Sequence, residues 1–181
     1  MSKIIHSFED VVITKEKPLI ICDIDDTVLA YNYNYEYFYT QAKIISPEAS
    51  PQEILQYAED DYYLHRMIEK PFHTDYPGFF SMSKKVKDLQ GEIIFVTARN
   101  NCSIDITRKH FKEIKLDYES YQVHYTSYPV TSKGEYIQKY IDMRGKGEVI
   151  FIDYQEFNLL SVKKKNPHIT CYKFKFLNKN A

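Results

Sequence analysis

Four short runs of β-branched and aromatic residues constrain this chain more than anything else in it. They fall at residues 18–22, 92–96, 121–125 and 148–152. Runs of that length, bounded by polar residues, read as buried strands. A fifth run, 169–176, alternates with Lys173 and Lys175 and reads as an edge strand with one wet face. Helical patterns lie between the runs. Residues 79–89 space Phe79, Met82, Val86 and Leu89 along one side, and Gly91 is placed to close that helix. Residues 103–114 start at a plausible cap and carry Ile104, Thr107, Phe111 and Ile114. Residues 132–143 carry Tyr136, Ile137, Tyr140 and Ile141, with Gly145 placed to close them. Residues 155–165 carry Leu159, Leu160 and Val162 and stop at Asn166-Pro167. Strand alternating with helix predicts an α/β fold: a Rossmann-like, mostly parallel sheet with helices on both faces.

One interval breaks the alternation. About seventy residues separate the first run from the second, against about thirty in a plain βαβ unit. The excess, residues 29–76, reads as a small, mainly helical cap inserted after the first strand, and residues 1–28 and 77–181 form the core. Within the insert, Ser50, Pro51 and Glu53 form a capping box with Pro in the first turn. Ile54, Tyr57, Ala58, Leu64, Met67 and Ile68 supply an apolar face to the helix that follows. Ahead of it stands a tyrosine-rich segment in which Tyr31, Tyr33, Tyr35 and Tyr37 alternate with other residues.

Composition narrows the function classes. Lys plus Arg number 24 and Asp plus Glu 25, a net charge of -1, which gives no global pull toward nucleic acid or anionic membrane. No apolar run is long enough to span a bilayer. The amino terminus lacks a basic-then-apolar pattern, and the expected compartment is the cytoplasm. Cys22, Cys102 and Cys171 are far apart and form no CxxC pair, which argues against a zinc site and a disulfide framework. Seventeen tyrosines stand beside no tryptophan, a bias that weighs more as coding composition than as function.

Chemistry concentrates where the first strand ends, in Asp23-Ile24-Asp25-Asp26-Thr27. Ligands of open α/β sheets bind at the carboxyl ends of strands. Three crowded carboxylates repel one another, and folding alone has no use for that. A magnesium ion offsets the repulsion with all-oxygen ligation. In an extended segment Asp23 and Asp25 point the same way, one suited to attack phosphorus and the other to manage a proton. Turn-forming aspartates that merely cap the next element are the plain alternative.

This pentapeptide after a hydrophobic strand resembles motif I of the haloacid dehalogenase-like hydrolases, mostly magnesium-dependent phosphatases. The other motifs follow in order. Residues 93–96 end at Thr97, followed by Ala98-Arg99; Lys133 follows Ser132 at a helix start; residues 149–152 end at Asp153. The resemblance implies Asp23 as nucleophile and Asp25 as acid and base, with Thr97 and Lys133 on the phosphate. It implies magnesium held by Asp23, Asp153 and the Asp25 backbone carbonyl, and a small phosphorylated substrate under the cap. It departs at motif IV, where a second acid is usual. Tyr154 follows Asp153, and Glu156 or Asn158 is left to support the metal site. Two alternatives stay open: a catalytically inactive binding or scaffold protein with this fold, and a phosphatase of nucleotides or nucleic-acid ends, with the tyrosines stacking bases. The balanced charge disfavours nucleic acid as the partner.

Overall fold

The computed structural model describes residues 2–126, 132–142 and 147–176. The strands are β1 (Lys3–Ile5), β2 (Leu19–Cys22), β3 (Leu29–Ala30), β4 (Phe72–His73), β5 (Glu92–Thr97), β6 (Gln122–Tyr125), β7 (Val149–Asp153) and β8 (Thr170–Phe174). The helices are α1 (Tyr35–Ile45), α2 (Pro51–Ile68), α3 (Tyr76–Asp88), α4 (Ile104–Glu113), α5 (Lys133–Asp142) and α6 (Glu156–Lys165). Each of the five apolar runs becomes a strand, and each helical pattern becomes a helix. Gly145 lies outside the described residues.

Six strands pair in parallel in the order β1-β8-β7-β2-β5-β6. Alternate residues of a strand face opposite sides, and here both sides are covered. Ile20, Cys22, Phe95, Ile152 and Tyr172 pack toward Phe79, Met82 and Val86 of α3 and Phe111 of α4. Leu19, Ile21, Ile94, Val96 and Phe151 pack toward Ile137 of α5 and Leu159 and Val162 of α6. Burial on both faces is why these strands read as continuous apolar runs rather than alternating ones.

Several expectations need correction. The run at 169–176 is not an edge: β1 pairs outside β8, with Ile5 opposite Phe174. Lys3-Ile4-Ile5 is too short to carry a recognisable period. Gly91 does not itself take the left-handed closing position of α3. Gln90 does, with φ 56. The Gly91 N–H donates to the Val86 carbonyl at 2.8 Å, and a Cβ on Gly91 would meet the Pro18 carbonyl at 2.5 Å. Leu160 is exposed, so of the three apolar residues expected inside, α6 turns Leu159 and Val162 inward.

Residues 29–76 leave the sheet after β2 and return at α3. β3 and β4 form a two-stranded antiparallel ladder at their base, and α1 packs on α2. Ala42, Ile54 and Ala58 form a small core of their own. The buried face of α2 is Ile54, Ala58 and Tyr62, at spacings of four. Tyr57, Leu64, Met67 and Ile68, expected inside, are exposed. The tyrosine alternation also breaks. α1 begins at Tyr35, capped by the Asn34 side chain, so helical spacing governs from there on. Tyr31 is buried, while Tyr33 and Tyr37 stack on each other at the surface. Among the described residues no helix is long and apolar enough to cross a membrane.

Candidate active site

Sheet register places the acids. Cys22 of β2 pairs with Ile152 of β7 and with Phe95 of β5. The next residues, Asp23, Asp153 and the Val96-Thr97 pair, therefore converge at the carboxyl end of the sheet. The Asp23 N–H continues the ladder, donating to the Ile152 carbonyl at 2.9 Å. The chain then turns back on itself: the Ile24 carbonyl accepts from Val28 and Leu29, and Asp26 takes a left-handed φ of 55. Aspartate tolerates that conformation better than most residues.

Lys133, first residue of α5, joins the two strand-end acids. Its Nζ lies 2.5 Å from Asp23 Oδ1 and 2.7 Å from Asp153 Oδ2, with all three side chains buried. Gly134 makes the approach possible, because a Cβ there would meet the Ser161 carbonyl of α6 at 2.5 Å. Asp153 also accepts from the Gln155 N–H at 2.8 Å and from Asn158 Nδ2 at 3.0 Å. Thr27 reaches Asp23 through its hydroxyl at 3.4 Å and accepts from the Tyr154 N–H at 3.1 Å. Thr97 is buried, its hydroxyl accepting from the Arg99 N–H at 3.2 Å.

Asp23, Asp25, Thr97, Lys133 and Asn158 thus line one cavity of about 570 Å3, and Asp153 stands behind Lys133. Glu156 is not brought there. It is exposed and paired with Lys173 at 3.1 Å on the sheet flank. Of the two residues considered for supporting Asp153, only Asn158 touches it.

Two site residues were missed. Arg99 holds Asp25 by two bonds, Nε to Oδ2 at 2.9 Å and Nη2 to Oδ1 at 2.7 Å. Arg66, from α2 of the insert, adds a third bond to Oδ2 at 3.1 Å. Around Arg99 stand the Thr107 hydroxyl at 2.9 Å and the Tyr31 hydroxyl at 3.2 Å. Arg99 followed the second motif in the sequence and could have been found there. Arg66 had no signal, being one polar residue among many on α2. Its guanidinium lies over the Tyr62 ring at 4.6 Å, and the Tyr62 hydroxyl donates to Asp26 Oδ2 at 3.1 Å.

The charges sort into two groups. Burial pushes the Asp23 carboxyl up, Asp153 pushes it further, and Lys133 offsets only part. Burial and Asp25 raise Asp26 to about 7. Asp25 goes the other way: burial alone would raise it, but Arg99 and Arg66 hold it well below the usual carboxylate range. Burial alone would lower Lys133, yet Asp153 and Asp23 hold it firmly cationic.

The donor set suits a hard dication. Asp23 and Asp153 share one ammonium, so that when both are ionised one negative charge among buried oxygens is left for a cation to offset. Among the described residues no group of three or more His, Cys, Asp or Glu side chains is set to hold a metal. A cation here would therefore rest on two carboxylates and backbone oxygen.

No family model matches the sequence, and no curated protein matches it. Solved structures do match the fold. A putative beta-phosphoglucomutase from Thermotoga maritima aligns with TM-score 0.54 at 10% identity, covering 90% of this chain and 88% of that one. The HAD domain of the effector protein Lem4 from Legionella pneumophila, an inactive mutant, aligns with TM-score 0.52 at 12% identity, covering 91% and 87%. The class C acid phosphatase from Bacillus anthracis with tungstate bound aligns with TM-score 0.51 at 18% identity, covering 90% and 68%. With the parallel sheet, the inserted helical pair and the strand-end acids already in place, these likenesses give the chain the haloacid dehalogenase-like fold.

Proposed function

We propose that this protein is a magnesium-dependent phosphohydrolase that works through an aspartyl-phosphate on Asp23. One observation carries the reading: Asp23 is buried at the end of β2 with the Lys133 ammonium 2.5 Å from its Oδ1 and Thr97 beside it in the cavity. A buried acid, a fixed cation and a strand-end hydroxyl are the parts an in-line phosphoryl transfer needs.

An Asp23 oxygen attacks phosphorus, the bond to the leaving oxygen breaks, and the electron pair departs with that oxygen. Lys133 and Thr97 hold the phosphoryl oxygens. Water oriented by the Asp25 carboxylate then attacks phosphorus, the Asp23–phosphorus bond breaks, and the proton of that water ends on the released phosphate. When held by the Asp23 and Asp153 carboxylates and the Asp25 backbone carbonyl, a magnesium ion supplies Lewis-acid charge against the phosphoryl oxygens. Asn158 takes the place of the usual second acid by fixing Asp153.

The leaving group sets a condition. An alkoxide needs a proton, which the resemblance assigns to Asp25. Both Asp25 oxygens accept guanidinium hydrogen bonds, an arrangement that favours its carboxylate form. This supports leaving oxygens that depart as anions, as from aryl, acyl and anhydride phosphates. Residues 29–76 act as a cap, since Arg66 and Tyr63 of α2 line the cavity that holds Asp23.

The test is phosphate release from a panel of esters and anhydrides with and without magnesium, with Asp23→Asn as control. Magnesium-dependent turnover lost in that variant is expected. Turnover that survives it would overturn the nucleophile, and no turnover at all would favour a binding protein.

A further inference from the structure

A second cavity, of about 650 Å3, adjoins the first and shares Tyr35, Tyr154 and Gln155 with it. Its volume suits a small organic ligand. One wall is the extended stretch before α1 and the first turn of that helix, and the opposite wall is the end of β8. Tyr33 and Tyr37 stack there with centroids 4.3 Å apart and planes 29° apart. They remain 46% and 40% exposed, so ring surface stays open to the groove. The pair is braced from the insert side, Tyr33 against His65 at 5.8 Å and Tyr37 against Phe38 at 5.3 Å between ring centroids.

Charge in the groove is balanced. Asp26 and Glu36 line it on one side, Lys173 and Lys175 on the other. A strand of polyanion would find no net attraction here. A neutral aromatic ring system, with polar edges for Asn34 and Lys175, matches both the tyrosines and the charge. Tyr35 and Tyr154 border both cavities, which sets the groove next to the cavity that holds Lys133.

We propose that the groove binds the base of a nucleotide, stacked on the Tyr33–Tyr37 pair, while the terminal phosphate lies at Lys133 and Thr97. The inference rests on the phosphohydrolase reading and names its substrate class.

The experiment compares substrates matched in leaving group: AMP with ribose 5-phosphate, and ADP with inorganic pyrophosphate. In the wild type kcat/KM is about tenfold or more higher for the nucleotide of each pair, the size of one base–aromatic stack. Tyr33→Ala/Tyr37→Ala brings each ratio near one, Tyr33→Phe/Tyr37→Phe restores it, and Tyr57→Ala on the outer face of α2 leaves it high. Ratios near one in the wild type, or ratios unmoved by the alanine pair, would overturn the inference and leave the phosphohydrolase reading standing. If no substrate is turned over, calorimetric titration of AMP and ADP in the presence of magnesium decides it. Binding weakened about tenfold by the alanine pair supports the groove while removing the hydrolase reading, and no binding overturns the groove.

Discussion

Asp25 and Arg99 meet in a two-point ion pair, Nε to Oδ2 at 2.9 Å and Nη2 to Oδ1 at 2.7 Å, with the guanidinium buried. A carboxylate gripped this way makes a poor proton donor. p-Nitrophenyl phosphate and acetyl phosphate are therefore expected to be hydrolysed about a hundredfold or more faster than glycerol phosphate, the gap a positioned general acid would close. Arg66→Ala frees part of Asp25 Oδ2 and should narrow the gap. Equal rates for all three in the wild type would mean that Asp25 donates in spite of its arginines.

The same pair makes a stability prediction. Arg99→Ala leaves Asp25 buried with only Arg66 beside it. Breaking a buried pair from one side costs about 3–5 kcal/mol. Urea unfolding should show that loss, and a change below about 1 kcal/mol would mean that water reaches Asp25.

How much of this was legible follows from what each residue owes to its neighbours in sequence. Asp23, Thr97 and Asp153 end apolar strands, and a strand end is a local pattern, so their convergence could be read before any coordinate. Asn158 could be named as a candidate only because the resemblance expects a second acid a few residues after Asp153. Arg66 could not. Its partner Asp25 is 41 positions away, and the turn of α2 that carries it has exposed Leu64, Met67 and Ile68 where apolar periodicity predicts a buried face. The placement of the tyrosines was hidden for a related reason. Alternation suggests an extended strip, but the Asn34 cap starts a helix at Tyr35 and changes the period from two to near four. β1 escaped because three residues carry no period at all.

Gly134 tests whether helix contact positions Lys133. A Cβ would meet the Ser161 carbonyl at 2.5 Å and its Oγ at 2.6 Å, and one of these is backbone that cannot swing aside. Gly134→Ala should push α5 away from α6, cost about 1–3 kcal/mol and lower kcat about a hundredfold or more, because a misplacement near 1 Å costs that much. Ser161→Gly in the same chain removes only the Oγ conflict and should recover little. Full activity in Gly134→Ala would show that Lys133 is placed by its ion pairs instead.

Two histidines should each subtract from stability as pH falls. Burial lowers His73 to about 4, with Asp75 offsetting part, and burial with Arg99 lowers His110 to about 4. Both are held neutral in the folded chain, while the unfolded chain protonates near 6.5. Their contribution is complete above pH 6.5 and is lost as pH falls from there toward 4. By pH 5 each histidine should cost about 2 kcal/mol. Burial raises Asp23 and Asp26, whose contributions change in the opposite sense over this range, so the histidine term is read as the difference between wild type and a histidine variant in urea unfolding at pH 7.5 and pH 5. His73→Asn keeps an acceptor for the Asp75 N–H, which donates to His73 Nδ1 at 3.1 Å, and should remove about half of the histidine contribution. A pH dependence unchanged in His73→Asn would place water at that ring.

Asn158 is the sharpest test of the unusual metal support. Asp153 receives Lys133 and Asn158 on Oδ2 and the Gln155 N–H on Oδ1, so its orientation is set by three donors, of which Asn158 alone is a neutral side chain. Losing such a support typically costs about 10–100-fold in metal affinity. Asn158→Ala should weaken magnesium binding, followed by calorimetry, by about that factor. Asn158→Asp cannot donate as a carboxylate, but it adds the acid that the resemblance expects near this position. It should therefore bind magnesium at least as tightly as the wild type while repelling Asp153 in the metal-free chain, so that its melting temperature falls without the ion and recovers with it. If Asn158→Ala binds magnesium unchanged, Asp153 is held well enough by Lys133 and Gln155, and the asparagine is no substitute for the second acid.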